Sequence, residues 1–265
     1  AQGVQQAIAR ISDITGRKLL NEQGRLIHPV RVDGSGIDHF AAVASVAKPL
    51  DVLLVGLFDE VSITSARKAL RSVYHYEKDR LTLSDQRRPH EQVGAVVQSQ
   101  PELILITGGT DGGAEDRLLQ IVESVGLGIS VMADSQLPEV IFAGNIKLRE
   151  RVQEILGEYV TVKVANNLRP TLEAEQLDDT ARLITDIYVE LKINELPGVQ
   201  ELRDWSSHSI LPTAHAFGSI CRYFAALQNQ PILGVDLGSN SISLVMAEPE
   251  HVQVSINSEL GTGQP

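Results

Sequence analysis

The sequence predicts an α/β protein with a doubly wound, mainly parallel sheet covered by helices on both faces, and three observations predict it. From Leu50 to Val164, short apolar runs alternate with helical patterns at regular intervals, a βαβα rhythm. The runs are apolar throughout rather than alternating, as in Val52-Leu-Leu-Val-Gly-Leu57 and Leu103-Ile-Leu-Ile106, which suits strands buried on both faces. Helical patterns long enough to cross back over the sheet separate them, and right-handed crossovers then give a three-layer domain.

In order, the candidate strands are Val52 to Phe58, Arg80 to Leu83, Leu103 to Thr107, Val140 to Ala143 and Val160 to Val164. The candidate helices between them are Ile63 to Tyr76, Pro89 to Gln98, Ala114 to Val125 and Ile146 to Leu156. Residues 50–170 are therefore read as a flavodoxin-like or Rossmann-like domain. Residues 1–49 form an entry segment: a helix on Val4, Ile8, Ile11 and Ile14 that ends at Gly16, a glycine-rich loop with a short strand at Leu26-Ile27, and a helix from Asp38 to Ala47. Residues 171–230 read as connecting helices. The first runs from Leu172 to Ile193, a shorter one follows Pro197-Gly198, and a third runs from Pro212 to Leu227. Residues 231–265 begin with a strand, a tight turn and a returning strand, then a second apolar alternation and Gly261-Thr-Gly263.

Composition narrows the function. With 265 residues, 43% of them apolar, the chain can bury a full core. A net charge of -11 without any Lys/Arg block argues against nucleic acid or an anionic membrane as the main partner. Cys221 stands alone, so no internal disulfide forms, and no Cys/His grouping has zinc spacing; a reducing, cytoplasmic setting is expected. No apolar run approaches membrane-spanning length. The first residues carry neither a signal peptide nor an initiator Met, and the chain is expected to be a piece of a longer protein.

Two stretches carry candidate chemistry. In the hairpin, Asp236 ends an apolar run, Gly238 permits the turn, and Ser239, Asn240 and Ser241 follow. Main-chain N–H groups and hydroxyls at such a tip hold a phosphate, and the aspartate beside them holds a metal ion or its waters. The same residues also suit a plain turn. In the sheet domain, Gly108, Gly109, Thr110, Asp111, Gly112 and Gly113 follow a buried strand and precede a helix, where ligands bind in open parallel sheets. This loop lacks both the Gly-Lys-Ser/Thr ending of a P-loop and a G-x-G-x-x-G, so a tight turn before an acidic helix start competes with a ligand or partner loop. Asp59, Asp111 and Asn145 would share one ligand if strand order brought them together. Tyr74, Tyr76, Arg67 and Arg71, on or near one predicted helix, mark either a partner surface or a solvated helix face.

Two resemblances sharpen these expectations. Val235-Asp-Leu-Gly-Ser-Asn-Ser241 resembles a phosphate loop of the actin-like ATPase superfamily. More widely, Leu20 to Ile27 and Pro49 to Pro170, with Pro101-Glu-Leu-Ile-Leu-Ile-Thr-Gly-Gly-Thr-Asp-Gly-Gly113, Val140-Ile-Phe-Ala-Gly-Asn145 and Asn166-Asn-Leu-Arg-Pro170, are similar to MutL-like accessory proteins of adenosylcobalamin-dependent glutamate (methylaspartate) mutase. An unrelated DNA-repair protein of the same name is not resembled. The resemblance implies an α/β region inserted in an actin-like ATPase, with the terminal hairpin as its second phosphate loop. ATP and Mg²⁺ would then be cofactors of the longer protein, Asp236 the metal-side residue, and Gly261 and Gly263 further nucleotide contacts. A mutase subunit would be the partner.

The hairpin departs from the expected Asp-Val-Gly-Gly-Ala-Thr-Thr-Asp: Ser239 replaces the second glycine and Ser243 the later aspartate. Its wording is also similar to the first phosphate loop of exopolyphosphatase-type members, and no catalytic base is located. This chain alone is therefore expected to bind nucleotide weakly or not at all. A non-enzymatic ligand- or partner-binding module and an exopolyphosphatase-like phosphohydrolase are the alternatives. Direct base-off cobalamin binding is disfavoured, because Asp-x-His-x-x-Gly occurs nowhere.

Overall fold

The computed structural model describes residues 2–45, 48–113, 116–206, 209–239, 241–257 and 261–263. In chain order these give α1 (Gln2–Thr15), β1 (Val43–Ala44), β2 (Leu50–Val55), a wide turn at Asp59–Ile63 running into α2 (Thr64–Leu70), β3 (His75–Leu81), α3 (Pro89–Ser99) and β4 (Leu103–Gly108). There follow α4 (Asp116–Ser130), β5 (Glu139–Gly144), α5 (Arg149–Leu156), β6 (Val162–Val164), α6 (Asp178–Tyr188), continued by a wide turn at Val189–Ile193, and α7 (Val199–Trp205). The chain then runs through β7 (Leu211–Pro212), α8 (Thr213–Gln228), β8 (Ile232–Leu237), β9 (Ile242–Ala247) and β10 (Val252–Asn257).

The fold is α/β, as expected: β2 to β6 form a five-stranded parallel sheet of order β3-β2-β4-β5-β6, the flavodoxin-like arrangement. Alternation along each strand separates two apolar layers. Leu50, Val52, Leu54, Leu103, Leu105 and Ile141 face α2 and α6, while Leu53, Val55, Ile104, Ile106, Val140 and Phe142 face α3, α4 and α5. The α4 helix runs past its expected end through Gly126 and Gly128, and a side chain at Gly128 would sit 2.6 Å from Val96 Cβ on α3. Glycine sets how closely those two helices pack. Ala114 and Glu115, at the expected start of α4, lie outside the described residues.

Several boundaries differ from expectation. The helix expected at Ile63 to Tyr76 stops at Leu70, and the strand expected at Arg80 starts at His75. It is an edge strand whose outward charges are paired, Glu77 with Arg67 at 2.7 Å. No helix forms between Asp38 and Ser45: Val43 and Ala44 pair with Leu211 and Pro212, Phe40 packs edge-on against Trp205, and Ala47 lies outside the described residues. The helix expected from Leu172 starts at Asp178, because Arg169 donates to the Leu172 carbonyl at 2.6 Å and Gln176 N–H to Leu168 at 3.0 Å, holding this stretch in a loop.

The C-terminal strands form an antiparallel sheet of order β10-β9-β8, one strand more than a hairpin. Helix α8 covers one face, burying Cys221 and Ala225 against Val245 and Ala247. A Cβ at Gly234 would stand 2.6 Å from Cys221 Sγ, so this packing requires glycine. The other face is bare: Leu233, Val235, Leu237, Leu244 and Met246 are all about half or more exposed. On α8, Ile220, Tyr223 and Leu227 are exposed as well. Among the described residues, no helix is long and apolar enough to cross a membrane.

Candidate functional site

At the tip of the β8–β9 hairpin, Gly238 N–H donates to the Ser241 carbonyl at 2.9 Å, closing the turn that Ser239 enters; Asn240 lies outside the described residues. The terminal segment is drawn onto this tip. Thr262 N–H donates to the Gly238 carbonyl and Gly263 N–H to the Ser239 carbonyl, each at 3.0 Å. The two glycine-bearing stretches singled out in the sequence, Gly238 and Gly261 to Gly263, therefore meet.

Asp236, Gly238, Ser239 and Ser241 line a cleft of about 380 Å³, with Tyr74, Tyr188 and Thr213 among the other walls. Asp236 is exposed and is the one carboxylate among the described lining residues. Thr213 opens α8, whose first N–H groups and helix dipole favour an anion. Burial, with the nearby Tyr74, pushes the Tyr188 phenol up to about 12, so it stays a neutral hydroxyl at physiological pH. One carboxylate, several hydroxyls and a helix start suit a phosphate with a hydrated divalent ion, because Mg²⁺ keeps several waters and takes few protein ligands. Among the described residues, no group of three or more His, Cys, Asp or Glu is placed to hold a metal ion by itself.

The glycine loop after β4 is stapled to its own sheet. Asp111 Oδ1 accepts from Ile146 N–H at 3.0 Å and from Asn167 Nδ2 at 2.9 Å, while Asp111 N–H donates to the Pro170 carbonyl at 3.0 Å. Asn145 is fully buried and accepts from Lys147 N–H at 3.1 Å and Gly112 N–H at 3.4 Å. Asn167 also donates to the Gly109 carbonyl at 3.0 Å. The glycines serve close approach: a Cβ at Gly108 would meet Leu57 N at 3.0 Å, and one at Gly113 would meet Thr110 Oγ1 at 2.9 Å. Of the trio Asp59, Asp111 and Asn145, the last two share this network. Asp59 turns instead toward β3 and pairs with Arg80 at 2.6 Å.

A family model described as MutL protein matches residues 1–260. The chain belongs to the MutL protein family. A curated relative, Protein MutL of Clostridium tetanomorphum, is 24% identical over 233 residues, covering 81% of this chain and 46% of the relative. The chain thus spans about half the length of the curated relative it matches. No solved structure matches the chain.

Within this MutL family chain, sequence reading missed Tyr188 and Thr213. In sequence Tyr188 reads as one of the apolar positions of its helix, and only the fold brings it into one cleft with the hairpin. Of the four residues read as a possible partner surface, Tyr74 joins the cleft, Tyr76 is exposed on β3 and Arg67 pairs with Glu77. Arg71 lines a second and larger crevice, of about 660 Å³, between α2, α6, α8 and β10.

Proposed function

We propose that the chain supplies one side of the nucleotide cleft in a MutL family accessory protein that serves an adenosylcobalamin-dependent glutamate mutase. One observation carries the reading: Asp236 and the hairpin tip line the same cleft as the start of α8 and Tyr188. Phosphate oxygens of ATP meet the α8 N–H groups and the hydroxyls of Ser239 and Ser241, and Asp236 holds Mg²⁺ through its waters. Family membership supports the accessory role, and the resemblance of residues 49–170 to mutase-associated proteins supports the partner.

On this reading the chain, matching 46% of its relative, offers only part of the phosphate cage, and micromolar ATP titrated into it alone gives no measurable heat. The decisive experiment uses a family protein of the relative's length that carries this cleft. Mg-ATP should raise its melting temperature by several degrees, as expected for a ligand well above its Kd, and Asp236→Ala should remove the rise. No ATP-dependent rise, or one indifferent to Asp236→Ala, sinks the proposal.

A further inference from the structure

The crevice of about 660 Å³ is bounded on one side by the outer edge of β10 and on the other by α2 and α6. In an antiparallel sheet the main-chain groups of alternate residues point to opposite sides of the strand. Ile256 N–H points away from β9, because it donates to the Arg71 carbonyl of the sheet domain at 2.7 Å. By the same alternation, the N–H and C=O of Val252 and Val254 also point away from β9, and both residues line the crevice. Among the described residues these groups have no hydrogen-bond partner. The Val252 and Val254 side chains are occupied elsewhere, packing on α8 near Gly218.

An open strand edge inside a cavity is complementary to one kind of ligand, another extended main chain. The charges refine this. Arg71 and Arg222 both line the crevice, and neither guanidinium has a carboxylate or hydrogen-bond partner among the described residues, in a chain of net charge -11. Lys68 and Arg182, also in the lining, are already paired with Glu175 and Asp179. Three carboxylates, Asp178, Asp186 and Glu250, share the walls, so a polyanion is unfavourable. Leu177, Ala181 and Leu211 add apolar area for an uncharged side chain.

We propose that this crevice binds an extended peptide segment, which adds as a strand to the β10 edge and sets one carboxylate against Arg71 and Arg222. The crevice shares no lining residue with the Asp236 cleft, so this proposal stands apart from nucleotide binding.

The test pans the wild-type chain against a displayed heptapeptide library and synthesises the enriched sequence in four forms: native, N-methylated at alternate residues in one register, N-methylated in the other register, and with its acidic side chain as the amide. The native peptide should slow amide exchange at Val252 and Val254. N-methylation on the edge-facing register should weaken binding about tenfold or more, since several pairing bonds are lost together. The double variant Arg71→Glu with Arg222→Glu, both exposed positions, should lose preference for the acidic peptide over its amide. Failure to enrich any sequence, enrichment indifferent to N-methylation in both registers, or exchange unchanged at Val252 and Val254 overturns the proposal. The N-methyl comparison uses the wild-type chain, so it decides the matter even if the double variant misfolds.

Discussion

The side-chain amide of Asn167 donates to the Asp111 carboxylate at 2.9 Å and to the Gly109 carbonyl at 3.0 Å, tying the turn after β6 to the loop after β4. Asn167 is almost fully buried, so truncating it leaves the Gly109 carbonyl without that donor. Asn167→Ala should cost about 1–3 kcal/mol of stability in urea unfolding. If the loop is held by this latch, amide exchange should quicken across Gly109 to Gly113 while β8 and β9 are unaffected.

Two helical glycines make a matched pair. A Cβ at Gly94 in α3 meets nothing within 4 Å, whereas one at Gly128 in α4 would overlap Val96. Gly94→Ala should therefore stabilise the chain by about 0.5–1 kcal/mol through helix propensity. Gly128→Ala should destabilise it by about 1–3 kcal/mol, because α3 and α4 must separate. Melting temperatures of the two variants should move in opposite directions.

Acid should weaken the fold in two stages. Burial holds His215 and His75 below the ordinary 6.5, against hydrogen bonds to the Ser72 and Val73 carbonyls respectively that pull the other way. A histidine with a lowered folded pKa takes up its proton more readily when unfolded, so its contribution is present above about 6.5 and lost as pH falls below it. The second stage belongs to carboxylates. The Asn166 N–H and Arg182 hold Asp179 below its usual value; at Glu175 burial pushes upward, but Lys68, Ser65 and Arg169 outweigh it. Their contribution is present above about 4.5 and disappears as pH falls through their lowered folded values. A melting temperature that stays flat from pH 6.5 to 5 would contradict the histidine stage, and Glu175→Gln should blunt the acidic one.

The sheet domain is legible in sequence because its strands are apolar on both faces, so Leu103 to Ile106 need no long-range knowledge to be recognised. The β3 edge strand is not, since His75 to Arg80 reads as charged and polar, and its character depends on pairing with β2 and on Arg67. The same holds for Val43 and Ala44, whose partners stand far along the chain at Leu211 and Pro212. The hairpin tip is legible through Asp236 and Gly238, local turn chemistry that survives any tertiary context. What no local pattern encodes is the meeting of Gly263 with Ser239, the shared cleft of Tyr188 and Asp236, or the crevice in which Arg71 faces β10. Each joins residues from separate elements.

The bare face of β8 and β9 has a consequence for how molecules of this chain behave toward one another in solution. Leu233, Val235, Leu237, Leu244 and Met246 form a sticky plane beside the edge of β8, which pairs with no further strand among the described residues, and the net charge of -11 repels neighbouring copies. That repulsion is screened as the Debye length shrinks from about 10 Å at 0.1 M salt to about 3 Å at 1 M. Light scattering should therefore rise with added salt and fall again in a Leu233→Lys, Leu244→Lys variant, making ionic strength the control on the colloidal stability of this chain.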